Sequence, residues 1–122
     1  MEESIMKISE SEMEIMKLLW KHEGAVTTAE LLRELNNSWK TTTVITFLKR
    51  LNAKGMVGIR REGNTNYYKA VVSEEEYKSE QTEEFMQELH GGSVESFLSA
   101  FYGRKKPDKK EMEEIRKWFE EL

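Results

Sequence analysis

Near Gly55 the spacing of apolar residues changes from every third or fourth position to every second, so this chain must pass from helices to paired strands inside one small core. Upstream, three helical segments each carry their own punctuation. Ser9 followed by Glu12 is a capping-box pattern. Behind it, Met13, Ile15, Met16, Leu18, Leu19 and Trp20 form an apolar face wide enough for a central helix, ended by His22 to Gly24. Thr27 with Glu30 repeats the pattern ahead of Ala29, Leu31, Leu32 and Leu35, and Asn36-Asn37 stops this second helix. The third lies within WKTTTVITFLKRLNAKG, residues 39–55, with Val44, Phe47, Leu48 and Leu51 on one side at helical spacing.

Downstream, MVGIRREGNTNYYKAVV alternates. Val57, Ile59 and Arg61 share one face of a strand, Tyr68, Ala70 and Val72 share a face of a second, and Glu62-Gly63-Asn64-Thr65 is a hairpin turn between them. Three short helices followed by a hairpin are the order of a winged helix-turn-helix. The predicted fold class is therefore mainly α with a small β wing, a winged helix-turn-helix followed by a helical dimerisation region. The predicted domains are residues 1–72 and residues 73–122.

The second region carries only helix signals. Ser73 with Glu76 opens a polar helix that stays poor in apolar residues until Phe85, Met86 and Leu89, and His90-Gly91-Gly92 ends it. Ser93 caps a helix with Val94, Phe97, Leu98 and Phe101 at i, i+3, i+4 and i+7. A basic loop, Gly103 to Pro107, leads to Asp108 and Glu111, which open a last helix presenting Met112, Ile115, Phe119 and Leu122. These stripes are too sparse to seal a core by themselves, and a second copy of the chain is the simplest partner. The expected homodimer seam is Val94, Phe97, Leu98, Phe101, Met112, Ile115, Phe119 and Leu122.

Charge divides the chain in the same way. The net charge is −4 over 122 residues, but residues 1–72 hold 11 basic against 9 acidic side chains and residues 73–122 hold 8 against 14. Within residues 38–69, Lys40, Lys49, Arg50, Lys54, Arg60, Arg61 and Lys69 face a single acid, Glu62. A concentrated basic segment in an acidic chain is the footprint of nucleic-acid contact.

The third helix fits that reading. Away from its core side it carries Thr42, Thr46, Lys49 and Ala53, flanked by Ile45 and Arg50. Small polar and then basic residues can approach base edges. Threonine hydroxyls can bond bases or phosphates, threonine methyls and Ile45 can touch thymine methyls, and Lys49 and Arg50 can reach phosphate or guanine. Thr41 and Thr43 are expected as cap, first-turn or phosphate residues. Arg60 and Arg61 point to opposite faces of the hairpin, and Tyr67 is a weaker phosphate candidate beside a core-side Tyr68. Trp39 is read as a packing anchor. The candidate DNA-contacting set is Lys40, Thr41, Thr42, Thr43, Ile45, Thr46, Lys49, Arg50, Arg60, Arg61 and Asn64.

Other chemistries find little support. The chain has no cysteine, which excludes disulfides, thiolate metal sites and cysteine nucleophiles and suits a reducing cytoplasm. Its amino terminus, MEESIMKISESEMEI, is acidic and polar where a signal peptide is basic and then apolar. No apolar run approaches the roughly 20 residues that span a bilayer. The expectation is a cytoplasmic protein without membrane insertion. Catalysis is not expected either. His22 and His90 fall near predicted helix ends, where an imidazolium meets the negative end of the dipole. Gly91-Gly92 closes a helix rather than opening a phosphate loop, and no spacing suggests a metal or a cofactor. A winged-helix module that binds protein instead of DNA is the alternative that overall acidity permits.

Three stretches, SESEMEIMKLLWKHEGAVTTAELLRELN, WKTTTVITFLKRLNAKGMV and REGNTNYYKAVV, closely resemble the penicillinase repressor family. The resemblance is most specific in MEIMKLLW, in Thr43, Thr46, Leu48, Arg50, Leu51, Lys54 and Gly55, and in Glu62-Gly63 with Tyr68. It implies a homodimer, joined through its carboxy-terminal helices, whose recognition helices bind a palindromic double-stranded operator. It also implies relief of repression when a membrane sensor system causes cleavage, at a place that corresponds here to Ala100 and Phe101. The chain departs from the family pattern in four places. Lys40-Thr41-Thr42 stands where Ser-Pro-Lys is frequent, Ile45 where glutamine is frequent, Asn64-Thr65 at the wing tip in place of a basic residue, and Ala100-Phe101 where antibiotic-responsive members have Asn-Phe.

Overall fold

A computed structural model describes residues 5–122; residues 1–4, with which the expected first domain begins, lie outside the described residues. In chain order the elements are α1 (Glu10–Lys21), α2 (Thr28–Glu34), α3 (Thr41–Ala53), β1 (Val57–Glu62), β2 (Thr65–Ala70), α4 (Glu74–His90), α5 (Val94–Tyr102) and α6 (Lys109–Glu120). The chain is mainly helical with a small antiparallel wing, the class expected from its apolar periods.

Local chemistry sets most boundaries. Ser9 and Glu12 form a reciprocal capping box at α1. Thr27, Ser73, Ser93 and Asp108 each accept a hydrogen bond from the amide three residues on, opening α2, α4, α5 and α6. α1 ends where His22 to Gly24 was expected to stop it: His22 is its C-cap in extended backbone, and the His22 imidazole pairs with Glu34 of α2. α3 ends in a Schellman motif. Gly55, at φ 78°, donates to Asn52 and the amide of Met56 donates to Leu51. Asn36 and Asn37 both adopt left-handed backbone, φ 55° and 54°, and make the turn between α2 and α3.

Two compact units divide after Gln81. The first has its core in Ile15, Met16, Leu19, Leu31, Val44, Leu48, Leu51, Met56, Val57 and Tyr68, all buried; fully burying one such side chain is worth about 1.5–3 kcal/mol. β1 and β2 pair from Val57 with Ala70 to Glu62 with Thr65 across a two-residue turn. Gly63 occupies the first turn position at φ 60°, a backbone that glycine adopts without cost. Val26, between α1 and α2, exchanges both backbone hydrogen bonds with Tyr68 and seats the wing against the helices.

The first unit extends past residue 72. Tyr77, on the stretch of α4 read as polar, is buried and its hydroxyl accepts from the Ile8 amide. Trp20 donates to the carbonyl of Val72 and its ring lies 6.0 Å from Tyr77, and Gln81 donates to the carbonyl of Ile5. These bonds span 52 to 76 residues of chain, which local pattern does not report.

In the second unit, α5 and α6 bury none of their residues. Phe85, His90, Phe97 and Phe101 nevertheless stack in series, with ring centroids 5.3 to 6.3 Å apart. His90 also exchanges a hydrogen bond with Ser96. Among the described residues, no helix is long and apolar enough to cross a membrane.

Candidate nucleic-acid interface

α3 is held by its apolar side and leaves the other open. Val44, Leu48 and Leu51 are wholly buried, while Thr41, Thr42, Thr46, Lys49, Arg50 and Ala53 are exposed and Thr43 and Ile45 are half-buried. Trp39 packs its ring 5.7 Å from Phe47 and joins the core margin, in keeping with a packing role.

The amino terminus of α3 differs from that of the other helices. Its N-cap falls on Lys40, not on a threonine, and among the described residues no side-chain cap bond forms there. Lysine has no acceptor to offer. Thr41 is thus a first-turn residue, not a cap, and the amides keep their positive end for an outside acceptor beside the Lys40 ammonium.

Two threonines are tied together. The Thr46 hydroxyl donates to the carbonyl of Thr42 at 2.8 Å, so its proton is committed to the helix itself. Thr46 is exposed, and with its hydroxyl bonded to the backbone it has left a methyl group and an oxygen that can accept.

The basic footprint is smaller than the residue list suggests. Lys54 reaches back to the buried Glu12 carboxylate at 2.6 Å, joining the last turn of α3 to the first of α1. Glu12 is 2% exposed and its other oxygen has no partner among the described residues. Burial pushes this carboxyl up, but Lys54 and the Ser9 hydrogen bonds outweigh it and hold the group below its ordinary value. Arg60 lies over the Tyr67 ring at 5.3 Å and pairs with Glu62 at 3.2 Å. Arg61 donates to the carbonyl of Gly63 at the turn, and Arg50 lies 5.4 Å from the centroid of Phe47. Lys40, Lys49 and Asn64 are exposed. Only Lys54 is taken out of play, because the other pairs are solvent-exposed and worth little against a phosphate.

The expected seam residues stand open on a single chain. Val94, Leu98, Phe101, Met112, Phe119 and Leu122 are exposed, up to 80% for Leu122, while Phe97 and Ile115 are half-buried. Phe85, Leu89 and Trp118 are exposed as well, and sequence reasoning left them out of the seam. Trp118 follows Ile115 by three and precedes Leu122 by four, a spacing that would have found it. Ala100 and Phe101 lie exposed in the last turn of α5.

A helix with a small polar face, seated on two supporting helices beside a two-stranded hairpin, defines a winged helix-turn-helix protein. The family profile for the penicillinase repressor matches residues 8–121, and the chain belongs to that family. It is 29% identical to the penicillinase repressor of Bacillus licheniformis, over 96% of this chain and 92% of that one. It is 25% identical to the methicillin resistance regulatory protein MecI of Mammaliicoccus sciuri, over 95% of each. The solved DNA-binding domain of the repressor BlaI superposes with a TM-score of 0.54 at 35% identity, covering 62% of this chain and 94% of that domain. The monomeric form of Bacillus licheniformis BlaI, solved in complex with the blaP half-operator, matches with a TM-score of 0.50 at 36% identity, over 60% of this chain and 90% of that one.

Proposed function

We propose that this chain is a transcriptional repressor that binds double-stranded operator DNA as a homodimer, with α3 of each copy in the major groove. The observation that carries this reading is the outward face of α3: an uncapped amino terminus beside Lys40, small threonines along it, and free Lys49 and Arg50 at its far end. The amides and Lys40 meet one phosphate, Lys49 and Arg50 meet another or a guanine edge, and the short side chains between them let the backbone approach the bases. Arg60, Arg61 and Asn64 bring the wing to the flanking backbone.

The dimer follows from the apolar faces of α5 and α6, which a second copy would cover. Two reading helices held about 34 Å apart would fit half-sites one helical turn apart, so the operator in this reading is palindromic. Derepression by a membrane sensor system would act at Ala100 and Phe101, where the last turn of α5 must open before a protease can seat the chain. Substrate conversion has no part in this reading, and the protein acts in the cytoplasm.

The test is a band shift on the chain's own upstream DNA with salt titrated. Lys49→Ala and Arg50→Ala should each weaken binding to all sequences and reduce the salt slope by about 1. Unchanged affinity in both at moderate salt would show that α3 does not meet DNA. The loss of Lys54 from the basic surface to its pair with Glu12 favours one competitor, a winged helix that binds protein; an absent or salt-independent shift would select it.

A further inference from the structure

Resting on the repressor reading above, we propose that Thr46 specifies a thymine in each half-site by its methyl group and not by its hydroxyl. Three observations converge. The Thr46 hydroxyl donates to the Thr42 carbonyl at 2.8 Å, so giving its proton to a base acceptor would break that bond. Thr46 is exposed at mid-helix, one turn beyond Thr42 and one turn before Lys49 and Arg50, where a helix lying in the groove comes nearest the base edges. Ile45, adjacent and half-buried, presents further aliphatic surface, so the centre of the reading face is apolar between polar ends.

In the major groove only one base edge carries an aliphatic group, the C5 methyl of thymine. A methyl-lined centre therefore selects a T·A pair over C·G by burying that methyl, and it offers no donor to the guanine O6 or N7. Base selection here is a contact of surfaces, with the lysine and arginine supplying the phosphate grip.

The experiment uses the full chain and a random-sequence duplex pool. The best bound duplex is selected and sequenced, then synthesised with each thymine replaced in turn by deoxyuridine, which removes the C5 methyl and leaves every hydrogen-bonding group. One thymine per half-site should become sensitive, with affinity about fourfold lower, the ratio that burying one methyl carries. Thr46→Val keeps the methyl and should retain both affinity and the uracil sensitivity. Thr46→Ser keeps the hydroxyl and should bind the thymine and uracil duplexes equally. Overturning results are a selected duplex indifferent to uracil at every position, or a valine variant that loses as much affinity as the serine variant. If the pool enriches no sequence and gives no salt-dependent shift, the repressor reading itself fails, an outcome distinct from either of those.

Discussion

The two compact units of this chain both carry well-formed helices but stand in opposite relations to water. Up to Gln81, helices and wing close over a core in which Ile15, Met16, Leu31, Val44, Leu48, Leu51 and Met56 are wholly buried. Beyond Thr82 the helices are as well formed, capped at Ser93 and Asp108, yet α5 and α6 leave Phe101 62% and Phe119 61% exposed. Amphipathic pattern alone is therefore not a core. In the first unit α1, α2, α3 and the wing all pack against one another, so their apolar stripes cover each other. The stripes of α5 and α6 remain open on one chain, a condition that the proposed second copy would relieve.

That contrast can be broken most sharply at the centre of the first unit. Leu48→Ala removes a fully buried side chain of α3 and should cost about 3 kcal/mol, read as a fall in the urea midpoint with an unchanged slope. A loss below about 1 kcal/mol would mean that this core repacks freely and is less distinct from the second unit than it looks.

Next in size is the pair between Glu12 and Lys54. Lys54→Met leaves a carboxylate at 2% exposure without its counter-charge and should cost about 2–3 kcal/mol at neutral pH, somewhat under a fully buried pair because Lys54 keeps a water-facing side. The sign with pH follows from the lowered value of Glu12. In the native chain the pair's contribution is fully present above the unfolded carboxyl's value near 4.5 and is lost as pH falls through the lower folded value. In Lys54→Met, burial is no longer outweighed by the ammonium and the folded value moves up, so acidification from neutral should recover part of the lost stability. Unfolding curves of both proteins from pH 7 to pH 3 check this, and parallel pH profiles would show that the ion pair is not what ties α3 to α1.

The smallest effect on a single chain belongs to the second unit. Trp118→Ala and Phe101→Ala remove groups that are 58% and 62% exposed, so the unfolding midpoint of dilute protein should move by less than about 0.5 kcal/mol. Sedimentation equilibrium should instead show weaker self-association for both. A stability loss like that of Leu48→Ala would place these side chains in a single-chain core and erase the contrast.

Much of this was legible residue by residue. Ser9, Thr27, Ser73, Ser93 and Asp108 announced five helix starts because capping is a matter of three or four residues. Gly55 and Gly63 announced a helix end and a hairpin turn because each needs a left-handed backbone there. The face of α3 could be drawn because Val44, Leu48 and Leu51 repeat at its period. What stayed hidden was every interaction whose partners are distant along the chain. Glu12 looked like a cap and is also the buried partner of Lys54, 42 residues away. Tyr77 looked like part of a polar helix and closes the core. Lys54 counted toward the basic footprint and is spent inside it.

The sequence by itself determined the helices, the wing and the side of α3 that stays open to solvent, since periodicity and capping are local and each is encoded within a few turns. Only the tertiary structure decided which charges are free, where the first unit ends and which apolar stripes are left uncovered. Those outcomes depend on which surfaces meet, and burial is a property of the meeting and not of either residue alone.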